Sequence, residues 1–100
     1  MESPTRSGSL LVTRPHGTDR YELRLDDNLV SFADFQARDD MIVVPYVETL
    51  QEHRGNGYAA HLMSGLLDDV RAQGERIEPV CSFAREYIRD RPEHHDLLAR

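Results

Sequence analysis

Tyr58, Ala59, Leu62, Met63, Leu66, Leu67 and Val70 recur at steps of one, three and four, so a helix from about Gly57 to Gln73 would carry them all on one stripe. Gly74 is a natural C-terminal stop for it. An extended apolar run, Met41 to Leu50, precedes this helix, and a shorter one, Ile77 to Cys81, follows it. Strand, helix and strand in that order form a right-handed crossover, which predicts that the two runs lie side by side and parallel.

Upstream, Tyr21, Leu23 and Leu25 alternate with Glu22, Arg24 and Asp26, the period of two that a half-buried strand requires. Asp27-Asn28 is the predicted turn into a second strand, Leu29 to Arg38, with Phe32 and Phe35 on opposite faces. Asp39-Asp40 turns the chain again into Met41 to Leu50, and connections this short predict an antiparallel meander. Leu10 to Thr13 would add an edge strand ended by Pro15 and Gly17. Pro45 cannot donate to a ladder, so a bulge or a one-sided opening is expected around it. After the crossover, Ser82 is the expected cap of a helix whose Phe83, Ala84, Tyr87 and Ile88 face inward and which Arg91-Pro92 ends; His94 to Leu98 would form a last turn.

Composition sets the class. One hundred residues, 39% hydrophobic and 30% charged, fit one globular domain over 10–100 after a polar lead-in at 1–9. No apolar run approaches the roughly 20 residues that span a bilayer, and Met1 to Ser9 holds no apolar signal core, so a cytosolic protein is expected. A single cysteine, Cys81, excludes an internal disulfide framework and a cysteine-rich zinc site. The net charge of −6 argues against nucleic acid as a partner.

Chemistry concentrates where the long strand hands over to the helix. In Arg54-Gly55-Asn56-Gly57-Tyr58-Ala59, two glycines let the backbone come close to a ligand, and the helix that starts there presents unpaired N–H groups at its positive end. This is a candidate phosphate cradle with Arg54 as a charge at its rim. No Gly-Lys-Ser/Thr follows, and the three-glycine dinucleotide pattern is absent, so any diphosphate is recognised in another way.

At this point the chain resembles the small, single-domain branch of the GNAT superfamily of acetyl-CoA-dependent N-acetyltransferases, the YjdJ-type domains, from about Tyr21 onward. Arg54-x-x-Gly57-x-Ala59 is similar to the superfamily's Gln/Arg-x-x-Gly-x-Gly/Ala signature; Glu48 stands six residues upstream, and Cys81-Ser82-Phe83, Tyr87 and Pro92 resemble the branch's downstream pattern. The resemblance implies an α+β fold: an antiparallel meander continuing into a strand-helix-strand crossover with a C-terminal helix. It implies that Gly55, Asn56, Gly57, Tyr58 and Ala59 bind the CoA pyrophosphate, that the main chain around Val47 and Thr49 pairs with the pantetheine arm between two splayed strands, and that Ser82 lies beside the ligand. Acetyl-CoA is the implied donor and an amine the acceptor. Two departures stand out. The Pro that usually precedes the signature is replaced by Leu50, followed by Gln51-Glu52-His53. Longer members wall the acceptor site with helices between their first strands, for which Tyr21 to Leu50 has no room, so the site is expected to be open or completed by a partner such as a second copy.

Several residues carry two readings. Glu48 fits a general base for the amine, or a solvated strand carboxylate. Cys81, before a helix N-terminus, fits an acyl-cysteine nucleophile, a lining residue for the CoA thiol, or a small apolar side chain. Tyr87 could protonate the departing thiolate, though inward packing is its plainer role. His94-His95 read as a solvated pair pointing apart, so no metal is expected. Amine acetylation by direct attack on the thioester is the reading reached; a CoA-binding module without turnover, or a partner-binding accessory domain, are the alternatives.

Overall fold

The computed structural model describes residues 9–99; most of the 1–9 lead-in lies outside them. One sheet has the order β1(Leu10–Thr13), β2(Arg20–Leu25), β3(Asn28–Arg38), β4(Met41–Thr49), β5(Arg76–Pro79). The first four strands run antiparallel and β5 is parallel to β4. Helix α1(Tyr58–Ala72) supplies the crossover, and α2(Ser82–Arg89) follows β5. The meander, the parallel pair and the crossover are those read from the sequence.

The β2–β3 turn sits one residue earlier than expected. Asp26 and Asp27 take φ of 49° and 74°, which lets Asn28 pair with Leu25. Two positive φ values make a tight hairpin turn that fits the sheet's twist, and Asp tolerates them better than most residues. At Pro45 the expected bulge is present. Asp34 pairs with Tyr46 and Gln36 with Val43, so Phe35 alone faces both Val44 and Pro45.

Alternation sends Tyr21, Leu23, Ala33, Phe35, Ile42 and Val44 to the core, where they meet Leu62, Met63, Leu66, Leu67 and Val70 of α1. All five helix residues are fully buried, and each contributes roughly 1.5–3 kcal/mol by leaving water. Phe32 and Phe35 do take opposite faces: Phe35 packs on Tyr21, and Phe32 on the outer Tyr46. β1 lies hard against α1, because a Cβ at Gly65 would stand 2.5 Å from Val12 Cγ2. A polar strap closes the far end of the helix. Tyr21 Oη donates to Asp69 Oδ2 at 2.6 Å, and Arg14 Nη1 donates to Tyr21 Oη at 3.3 Å and to Glu75 Oε1 at 3.0 Å.

Beyond α2 the chain makes a 3₁₀ turn at Pro92–Leu97, then runs along the outer edge of β5, where Ala99 N donates to Ile77 O at 2.8 Å. The expected last turn is there; the strand-like contact after it was not anticipated. His95 is exposed as expected, but His94 is not. His94 stacks on Tyr87 with Nδ1 buried, and His95 Nε2 lies 2.9 Å from Ile88 O. Among the described residues no helix is long and apolar enough to cross a membrane.

Candidate functional site

The site forms where β4 and β5 part. Their pairing stops at Val44 and Pro79. Val44 O accepts both Val80 N and Cys81 N at 3.0 Å, and the chain then turns into α2. On the other strand, Pro45 offers no donor, so the ladder has nothing to continue with. Past this point β4 keeps its β3 partner alone. Leu50 N donates to Val30 O at 2.9 Å, which makes 50/30, 48/32 and 46/34 the hydrogen-bonded pairs of the β3–β4 register. Val47 and Thr49 therefore turn their main-chain N–H and C=O groups away from β3, into the fork.

The glycine loop stands at the fork's open end. Gly55 and Gly57 have φ of 87° and 75°, a left-handed conformation that other residues reach only with strain. The first bond of α1 runs from His61 N to Gly57 O at 3.1 Å; among the described residues, the N–H groups of Gly57, Tyr58, Ala59 and Ala60 find no protein acceptor. These are the orphan donors of a helix start, pointed with its dipole at solvent. They border a cleft of about 180 Å³ lined by Thr49, Arg54, Gly55, Gly57, Tyr58, Ala59, Ala60 and Phe83. A second cleft of about 210 Å³ shares Ala60 and Phe83 and extends along Glu86, Tyr87, Asp90 and Arg91 of the α2 side.

The candidate side chains are distributed unevenly around this geometry. Arg54 folds back on the strand: its Nε donates to Thr49 O at 3.0 Å, and Nη2 lies 4.0 Å from Glu48 Oε2. Asn56 supports the loop itself through Nδ2 to His53 O at 3.1 Å. Glu48 is on the sheet face opposite α1, with one carboxylate oxygen accepting from Tyr46 Oη, while its carbonyl accepts from Ser31 Oγ at 2.8 Å.

The α2 end departs from expectation in three places. β5 ends at Pro79, so Cys81 is not on the strand; it is the N-cap of α2, half-buried against the core. Ser82 does not cap. It is the first helical residue, exposed, and no side chain caps this helix, because Cys81 occupies the N-cap position. Ala84 and Ile88 face inward as expected, but Phe83 is 39% exposed at the rim shared by the two clefts. Tyr87 is half-buried, with the Arg91 guanidinium 3.6 Å from its ring centroid. Among the described residues no three His, Cys, Asp or Glu side chains gather as a metal-binding group.

A profile of GCN5-related N-acetyl-transferase domains matches residues 20–97, from the start of β2 to the end of the last turn. The chain belongs to the GNAT family. Its fold agrees. A GCN5-like protein from Staphylococcus aureus superimposes with a TM-score of 0.67 at 18% identity, covering 90% of this chain and 88% of that one. The ribosomal-protein-S18-alanine N-acetyltransferase of Escherichia coli gives 0.61 at 13% identity over 77% of this chain and 53% of its own. The N-acetylglutamate synthase of Neisseria gonorrhoeae, solved with coenzyme A and N-acetylglutamate, gives 0.57 at 18% over 82% of this chain and 22% of that one. This GNAT domain thus spans about half, or less, of those two enzymes. None of the curated proteins matches it in sequence.

Two features beside the fork escaped the sequence reading, the place of Tyr46 and the exposure of Phe83. Tyr46 shares a face with Glu48 because strand side chains repeat every second position, and that spacing was a usable signal. The exposure of Phe83 had none, since it depends on how α2 leans on β4 and β5.

Proposed function

We propose that this GNAT domain binds acetyl-CoA across the fork and transfers the acetyl group to an amine. The observation that carries the reading is a coincidence of place: β4 backbone groups freed beyond Val44 open beside four helix N–H groups that lack acceptors. A thioester ligand has the matching parts, a diphosphate for the helix start and an amide-bearing arm for the strand edge. Val47 N–H is the donor suited to the oxyanion that develops when the amine attacks the thioester carbonyl. In that step the C–N bond forms, the C–S bond breaks, one amine proton leaves through a base and the CoA sulfur is released as thiolate, then thiol. Glu48, on the strand at the fork, is the base we assign. Cys81 is assigned as a lining residue near the thiol, and Tyr87 is placed in the second cleft as packing. We place the protein in the cytosol, where acetyl-CoA and its acceptors meet.

A second reading, binding of CoA without turnover, is supported by the uncovered sheet face. No helix stands between β1 and β4, so no insertion between these strands walls an acceptor. Titration with CoA by calorimetry, followed by CoA release from acetyl-CoA on adding amines, separates the two. Binding with amine-dependent release supports transfer; binding without it leaves the module; no binding sinks both.

A further inference from the structure

The outer sheet face beside the fork repeats one arrangement twice. β3 and β4 place Asp34 opposite Tyr46 and Phe32 opposite Glu48, so two aromatic rings and two carboxylates form a quartet. One half already holds a cation of the protein. The Arg20 guanidinium lies 4.1 Å from the Phe32 ring centroid, while its Nε donates to Asp34 Oδ1 at 2.8 Å. The other half has the same composition: Tyr46, 46% exposed and 6.0 Å from Phe32 between centroids, hydrogen-bonded to Glu48. Among the described residues no cation lies over the Tyr46 ring, and Arg54 reaches Glu48 only at 4.0 Å. Tyr46 follows the last β4–β5 pair by two residues, about 7 Å along a strand.

We infer that Tyr46 and Glu48 form the acceptor subsite and that it takes a primary alkylammonium, an amine on a flexible aliphatic chain. The inference rests on acetyl transfer occurring at the fork. An aliphatic amine is a cation at neutral pH, and an aromatic face attracts it through the ring quadrupole. The neighbouring carboxylate accepts an N–H from the same group. One proton must pass from the ammonium through Glu48 to solvent before the nitrogen lone pair can attack, the second leaving as the amide forms. With no helix between β1 and β4 to wall the site, this pair supplies the ground-state hold on the acceptor, and Arg20 on Phe32 and Asp34 shows the mode within the chain. Tyr46 is then a specificity-determining residue. Aryl amines, neutral at the same pH, gain no cation–π attraction from it.

The test uses the full chain and two readouts. In NMR titrations, butyltrimethylammonium, which cannot be acetylated, shifts the ring resonances of Tyr46 and Phe32, and its neutral tert-butyl isostere does not. Tyr46→Leu weakens the cation by roughly 2- to 30-fold, the range of a cation–π contact, and Tyr46→Phe preserves it. In turnover, Tyr46→Leu raises KM for the amine by a similar factor and leaves KM for acetyl-CoA at the parent value. Comparing putrescine with a lysine-bearing peptide tells a free amine from a polypeptide one. Equal response to cation and isostere, or an amine KM untouched in Tyr46→Leu, overturns the inference. A cation held at Tyr46 in a protein that acetylates no amine supports the ammonium subsite and removes the transfer reading; turnover without any Tyr46 response does the reverse.

Discussion

Replacing Gly57 by valine separates the loop's chemistry from its architecture. Gly57 has φ 75° and ψ 17° as the N-cap of α1, and a Cβ built there meets nothing within 4 Å. The cost to the fold is therefore backbone strain alone, about 1–2 kcal/mol for a left-handed residue with a side chain. For a domain of this size that lowers Tm by roughly 5–15 °C while α1 keeps its buried stripe and the His61-to-Gly57 bond. Binding suffers more. A branched side chain bordering the cleft blocks close approach to the N–H groups of Gly57 and its neighbours, and losing two hydrogen bonds to a charged phosphate costs about 3–6 kcal/mol, a fall of about 10²–10⁴-fold in CoA affinity. Gly57→Asn controls for strain, since asparagine tolerates this conformation. Circular dichroism melts measure the fold and calorimetry with CoA measures the site. A folded Gly57→Val protein that binds CoA within threefold of the parent would refute the cradle.

Three further outcomes are expected. Glu48→Gln keeps CoA affinity near the parent value and lowers amine-dependent CoA release by roughly 10²–10⁴-fold; equal turnover at neutral pH would assign the base elsewhere. Brief exposure to acetyl-CoA without acceptor leaves Cys81 unlabelled in intact-mass and peptide analysis, and Cys81→Ser retains most activity; rapid stoichiometric acetylation of Cys81 would instead establish a two-step route, and with no lysine in the chain such labelling is easily mapped. Burial, then the bond to Asp69, raises the Tyr21 phenol above its ordinary value of 10.0, so its stabilising contribution is complete below about pH 10 and declines as pH climbs towards the raised folded-state value. Tyr21→Phe should cost about 1.5–3 kcal/mol at neutral pH and abolish that alkaline decline in denaturant midpoint; an identical decline in the variant would place it in another group.

β2 and α1 were legible as periods, two for Tyr21 to Leu25 and three or four for Tyr58 to Val70, while β4 and β5 were legible as the apolar runs that bracket the helix. The bulge was legible because Pro45 lacks a donor whatever surrounds it. What was not legible depends on contacts between distant segments. The C-terminal residues found β5's free edge, the Arg54 guanidinium, still at the rim of the cleft, found Thr49 O, and Cys81 took the N-cap position of α2, which put Ser82 inside the helix. His94 settled on Tyr87 through a turn whose direction no local pattern encodes.

The bulge at Pro45 has a kinetic consequence. A slot between two strands would ordinarily compete with its own closure, since parallel edges left free tend to zip together. Here closure lacks a donor on one side and a continuing strand on the other, so the chain folds with the slot already parted. A ligand arriving there has no strand pairing to break, only the Arg54 bond to Thr49 O to displace. Its association should follow a single exponential whose rate rises linearly with ligand concentration, with no plateau marking a prior opening step, and exchange of spent for fresh ligand is then timed by departure alone.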